Sequence, residues 1–258
     1  MRKLLYLFFL LPSAGVIAQK GIRESIQFDK PPVIDGKVDE WPGDWWLDPD
    51  GKFLTNIGND ADNLYIRMKV SDDLTQQKIG LFGLSLRLNP NGKRKGKVGL
   101  KYPVGKDPSE LKKERQEAME KGTDLAERVQ MKKDLINDVE VVELIGLAKQ
   151  NIVSSRLGLM NGIEAIIVAQ DDGAYIYEAK IPFKAFRIKK SEVTLMGVEF
   201  ETGRLVVQNK SAGTNPTGPG PGSRGPGSYG QQPRYYSNNY QYNVLSSAGY
   251  LWIGVKLK

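Results

Sequence analysis

Neither cysteine nor histidine occurs in the 258-residue chain. Without cysteine there can be no disulfide, no thiol nucleophile and no lipid attached through a thiol. Without histidine, neither a Ser-His-Asp nor a Cys-His nucleophile can be assembled. A zinc site of the usual His/Cys kind, or a haem held by either residue, is equally excluded. The chemistry left open belongs to carboxylates, to lysine or a Ser-Lys pair, and to oxygen-ligated metals such as calcium. Long apolar runs are also scarce. Residues 4–11 form one, far short of the roughly 20 residues that span a bilayer, and nothing later could span one.

That run lies where an export signal would place it. Met1-Arg2-Lys3 gives a positive start, Pro12-Ser13-Ala14-Gly15 breaks the apolar stretch, and Val16-Ile17-Ala18 offers small or modest side chains to a signal peptidase. Residues 1–18 read as a secretory signal cleaved between Ala18 and Gln19. Residues 19–258 then remain as one exported domain, periplasmic or extracellular, with no membrane span. Such a length can bury its own core without disulfides. The formal charge of +7 is a modest excess, part of which leaves with Arg2 and Lys3, and it points to no nucleic-acid partner. On an exported chain, a basic patch would rather meet anionic polysaccharide or lipid headgroups.

Most segments read as strands. Leu64-Tyr65-Ile66-Arg67-Met68-Lys69-Val70 alternates apolar and polar residues with period two. Residues 81–88 put Leu84, Leu86 and Leu88 on one face; Asn91-Gly92 then signals a tight turn, and 97–102 can return as the partner strand. A second hairpin runs through 163–170, Asp171-Asp172-Gly173 and 174–181. Further strands fit 139–147, 193–207 and 250–257. Residues 107–136 break the pattern: their apolar positions suit a helix face, and Asp107-Pro108-Ser109-Glu110 is a start signal. From 208 to 243 the chain is Gly-Pro-rich, then polar and tyrosine-rich, with too little to bury to repay ordering, so a long flexible loop is expected. The sum is a mostly β protein, an antiparallel β-sandwich with a helical insertion and that loop.

Three passages carry a resemblance. Val33-Ile34-Asp35-Gly36-Lys37-Val38-Asp39-Glu40-Trp41 resembles the opening of family-nine carbohydrate-binding-module-like domains. Asn59-Asp60-Ala61-Asp62-Asn63-Leu64-Tyr65-Ile66 is similar to their next element, an acidic turn before an L-Y strand. Glu178-Ala179-Lys180-Ile181-Pro182-Phe183 looks like their later E-x-x-I-P strand end. The resemblance implies an immunoglobulin-like or DOMON-like sandwich, and a non-catalytic module binding carbohydrate or another envelope ligand. Val98-Gly99-Leu100-Lys101-Tyr102-Pro103 resembles an exported single-domain bacterial branch. An envelope interaction or scaffold protein is the alternative function, with the Gly-Pro-Tyr loop and helical insertion meeting partner proteins.

The candidate site residues follow from residue type. Trp45 and Trp46 are adjacent, so on a strand they point to opposite faces: one can pack while the other offers an aromatic platform to a sugar. Trp41, inside its motif, reads as packing. Asp35, Asp39, Asp60 and Asp62 supply oxygens that could hold calcium, which members of the resembled family can bind; ordinary turn chemistry explains them as well. Lys93, Arg94, Lys95 and Lys97 make a basic turn, either a solvated hairpin tip or an anion contact. Glu199 and Glu201 share one strand face and could be imagined as a glycosidase pair. Such pairs flank a bond at roughly 5 to 10 Å, usually from different strands, so a polar sheet face is the simpler reading. The expectation is binding, not catalysis.

Overall fold

Alternation of apolar and polar side chains builds two sheets whose inner faces meet. The computed structural model describes residues 22–37, 39–106, 125–136, 140–147, 152–156, 162–206 and 244–258. The expected export signal, the first part of the helical insertion and the Gly-Pro-rich loop lie outside these residues.

The strands are β1 (Ile22–Glu24), β2 (Ile26–Gln27), β3 (Trp46–Leu47), β4 (Leu54–Asn59), β5 (Asn63–Val70), β6 (Gly83–Asn89), β7 (Val98–Val104), β8 (Val141–Ile145), β9 (Ile152–Arg156), β10 (Glu164–Ala169), β11 (Tyr175–Pro182), β12 (Met196–Thr202) and β13 (Tyr250–Lys256). One sheet has the order β1-β13-β12-β6-β7-β8-β9. The other runs β10-β11-β5-β4-β2, with β3 also paired to β4. Leu84, Leu86 and Leu88 of β6 and Val198 and Phe200 of β12 face Ile57, Leu64, Ile66, Met68 and Tyr177 from the second sheet, all fully buried. The result is a β-sandwich. Both expected hairpins form: β6 with β7 through Gly92, and β10 with β11 through Gly173, each glycine at positive φ as its turn requires.

Three features depart from the sequence reading. The pairing is not wholly antiparallel, since β1 lies parallel to β13 and β2 parallel to β4. These first strands occupy sheet edges beside strands they do not follow directly, so no hairpin dictates their direction. Second, α1 (Asp73–Phe82) precedes β6. Asp72 caps it by accepting from the Thr75 N–H at 2.8 Å, and Gly83 ends it at φ +86. Third, the short strands β1 to β4 and β9 were not foreseen. In the helical insertion, α2 (Leu125–Ile136) is helical as expected. It lies close on α1, where a Cβ on Gly80 would come within 2.8 Å of Leu135, and its Lys132 pairs with Asp73 at 2.6 Å.

Ser25 marks the point where the chain passes from the first sheet to the second. Its hydroxyl donates to Asn59 Oδ1 at 2.6 Å and accepts from the Lys258 N–H at 2.9 Å, while Asn59 Nδ2 donates to the Lys258 carbonyl at 2.6 Å. A buried polar stitch therefore joins both sheets at the end where the first and last strands meet.

The N-terminal arm, residues 28–37 and 39–47, lies against the outer face of the second sheet. Beneath it the register aligns Asn56, Arg67 and Glu178 across β4, β5 and β11, all buried. Glu178 Oε2 accepts the backbone N–H of Gly36 at 2.8 Å and of Asp35 at 3.2 Å. Arg67 lies over Trp45 at 4.1 Å and Trp41 at 5.1 Å from the ring centroids. Burial draws the Arg67 guanidinium down to about 10, opposed by the charge of Glu178. Phe28 meets Trp41 edge-on at 5.0 Å, closing a small second core with Tyr65.

Candidate functional site

Trp46 begins β3 and Trp45 immediately precedes it, and the two side chains meet different surroundings. Trp46 pairs with Thr55 and packs against the main core, while Trp45 carries Arg67 over its ring. Both are half-buried.

The four aspartates do not converge. Asp35 pairs with Lys37 at 2.9 Å, and Asp39 is exposed. Asp60 accepts from the N–H groups of Asp62 and Asn63 at 2.7 Å each, from Asn63 Nδ2, and from the Tyr65 hydroxyl at 2.6 Å. Burial alone would raise the Asp60 carboxyl; the hydrogen bonds of Tyr65, Asn63 and the backbone outweigh it and hold it below its usual range. Among the described residues no three acidic, histidine or cysteine side chains gather around one point. In the acidic turn the Asp60 carboxylate is engaged by the turn's own backbone and by Asn63 and Tyr65.

A different constellation appears on the outer face of the larger sheet. Register sets two adjacent rows across five strands. One runs Tyr250, Glu201, Ser85, Lys101, Glu143; the other runs Trp252, Glu199, Arg87, Gly99, Ile145. At a strand spacing of about 4.8 Å, each row extends about 19 Å. Ser85 is the middle residue of the first row, and in the second Gly99 adjoins the central Arg87. Two adjoining open hollows of about 250 and 520 Å³, sharing Arg87 and Glu201, make a shallow trough of this face. Gly99 is required here, because a Cβ would lie 2.0 Å from the Leu86 carbonyl oxygen.

Arg87 organises the floor. Its Nη1 donates to Glu199 Oε1 at 3.2 Å and also to Glu201 Oε2. Burial opposes its charge, but the hydrogen bonds and charges of Glu201 and Glu199 outweigh that effect and raise its affinity for the proton. Glu199 Oε2 also accepts the Gly96 N–H at 3.2 Å. The Tyr250 hydroxyl stands 3.4 Å from Glu199 Oε2 and 3.3 Å from the Arg94 carbonyl oxygen. The residue remains 46% exposed at the wall of the trough. Burial, then the Glu199 charge, push the Tyr250 phenol above its ordinary value, so it stays a proton donor at neutral pH.

Glu199 and Glu201 do share one face, but both turn to the same arginine and do not face each other across a cleft. Arg87 and Tyr250 were not singled out from the sequence. The available signal was the spacing of Tyr250 and Trp252, two apart on an expected strand and hence on one face. Only the register shows that they stand beside Glu199 and Glu201.

No family model matches the chain, and no curated protein matches it. Among solved structures, the chain is similar to a carbohydrate binding module family 9 from Caldicellulosiruptor kristjanssonii in complex with glucose, at 14% identity and a TM-score of 0.31, over 70% of this chain and 77% of that one. The likeness to the module in complex with cellotriose has the same identity and score, over 69% and 75% of the two chains.

Proposed function

We propose that the protein is an exported, non-catalytic module that binds carbohydrate in the trough on the outer face of its larger sheet. The observation that carries this is Tyr250: a half-exposed tyrosine, its hydroxyl beside Glu199, at the wall of a trough lined by charged side chains. An aromatic face suits the C–H face of a sugar ring. Arg87, Glu201, Ser85 and Lys101 offer donors and acceptors for hydroxyls along the floor. Because the two carboxylates are drawn to Arg87, they support a role in positioning and charge balance, with no acid or base poised opposite a nucleophile. Export rests on the signal pattern of residues 1–18.

The test is a glycan array probed with the purified chain, followed by titration of each hit with wild type and Tyr250→Ala. Affinity should fall about tenfold or more, as expected for loss of an aromatic anchor, with the circular dichroism spectrum unchanged. The reading fails if no glycan is retained, or if a folded Tyr250→Ala variant binds like wild type.

A further inference from the structure

We infer that the carbohydrate taken by this trough is anionic, a carboxylated or sulfated polysaccharide; this rests on the carbohydrate reading above. The observation is the way the turn between β6 and β7 is fixed over one end of the trough. A basic hairpin tip is usually a mobile, solvated feature. Here three successive backbone carbonyls are turned down onto sheet side chains. Trp252 Nε1 donates to the Lys93 carbonyl at 3.3 Å, the Tyr250 hydroxyl lies 3.3 Å from that of Arg94, and Asn89 Nδ2 donates to that of Lys95 at 2.6 Å. The Gly96 N–H then donates to Glu199, and the Lys97 N–H closes the turn onto Leu88 at 2.9 Å.

Two glycines make the close approach feasible. A Cβ on Gly96 would lie 2.2 Å from the Arg87 Cβ, and one on Gly197 would lie 2.6 Å from the Lys93 carbonyl oxygen. With the backbone consumed in this way, the side chains of Lys93, Arg94 and Lys95 are left exposed along the rim. Arg94 and Lys95 line the hollow beside Tyr250, and the Arg94 guanidinium stands over Trp252 at 5.6 Å. The backbone that carries the cations is thus fixed before any ligand arrives, which reduces the ordering cost of binding.

The charge balance points the same way. At the floor Arg87 pairs with both Glu199 and Glu201, which leaves the trio with one net negative charge. Among the described residues, Lys93, Arg94 and Lys95 form no ion pair, nor do Lys101 and Arg204 further along the trough. Glu143, which also lines the trough, has no ion pair among the described residues, but the five unpaired cations outnumber it and the excess acid at the floor, so the groove presents a positive field to an elongated ligand. Repeating carboxylates or sulfates on a polysaccharide match that arrangement. A neutral glycan would leave it unused.

The experiment is affinity electrophoresis and calorimetry of the full chain with polygalacturonate, dextran sulfate and neutral dextran. Each is run at about 0.1 M and about 1 M salt, between which the screening length falls from about 10 to about 3 Å. Polygalacturonate or dextran sulfate should bind at least tenfold tighter than dextran, weaken with salt, and lose about tenfold in the Lys93→Gln, Arg94→Gln, Lys95→Gln triple variant. Comparing the two polymers tells a carboxylate preference from a sulfate one. Neutral glycans binding as tightly as acidic ones would overturn the inference and leave the carbohydrate reading standing. So would acidic binding that the triple variant does not diminish. Retention of no glycan, acidic or neutral, would instead remove the carbohydrate reading itself.

Discussion

Glu178 on β11 accepts the backbone N–H of Gly36 at 2.8 Å, across a separation of 142 positions in the sequence. Two of the passages that carry the family resemblance therefore meet in space. The third is locally self-contained: Asp60 ties its own turn together and holds the Tyr65 hydroxyl. The landmark residues fasten the N-terminal arm to the sheet and shape the turn between β4 and β5. They lie away from the trough.

Gly36→Ala should destabilise the protein by about 2 to 3 kcal/mol. The left-handed backbone at φ +80 contributes about 1 to 2 kcal/mol of that. The rest comes from a Cβ placed 2.5 Å from Val168 Cγ2, a case of overpacking. Adding Val168→Ala should restore only the steric part. Urea unfolding of both variants checks this. No loss in Gly36→Ala would mean that the arm is not held at this point.

Asp60 supplies a pH signature. Its carboxyl is held below the unfolded value of 3.8, so its stabilisation is fully present above that value. It is lost as pH falls through 3.8 toward the lower folded value. Asp60→Asn should lower stability at neutral pH by about 2 kcal/mol, the scale of a charged hydrogen bond, and should narrow its difference from wild type in acid. Urea midpoints across that range decide it, and a constant difference at every pH would refute the assignment.

Trp45 and Trp46 should separate by mechanism. Trp46→Ala removes packing against the main core and should cost about 2 to 3 kcal/mol. Trp45→Ala removes the ring beneath Arg67 and should cost about 1 kcal/mol. Glycan affinity should survive both changes wherever the fold does. A stable Trp45→Ala variant that no longer binds would move the binding surface to the N-terminal arm.

Arg87→Met should destabilise by about 3 kcal/mol, because the Glu199 side chain is only 8% exposed and would keep its charge without its partner. Adding Glu199→Gln and Glu201→Gln should recover much of that loss without restoring glycan binding. Thermal unfolding and titration together test the two roles of the arginine. Stability unaffected by Arg87→Met would show that the network contributes little to the fold.

The sandwich was legible because its central strands alternate strictly: Leu84, Leu86 and Leu88, or Leu64, Ile66 and Met68, each mark a buried face. The α1 helix was not, because its pattern is weakly amphipathic and it runs directly into β6 at Gly83. The parallel edge strands were also hidden. β1 is three residues long, and its direction is set by β13, more than two hundred positions away. The trough escaped for a related reason. Tyr250, Glu199 and Arg87 come from three strands, and register, not composition, brings them together. Tryptophan drew attention to residues 45 and 46 by type, although their surroundings give each of them a packing partner.

The stitch of Ser25, Asn59 and Lys258 also bears on the order of assembly. It spans 233 positions, and although each doubling of a loop adds only about 0.6 kcal/mol of closure entropy, contacts of such range slow folding markedly. The interior hairpins can form early, and the two chain ends close last. In the interval before β1 arrives, β13 is a bare edge, with a row of unpaired backbone groups open to any neighbouring chain. Crowded refolding therefore endangers this molecule most at that edge, and weakening the stitch should appear as aggregation during folding before it appears as a loss of binding.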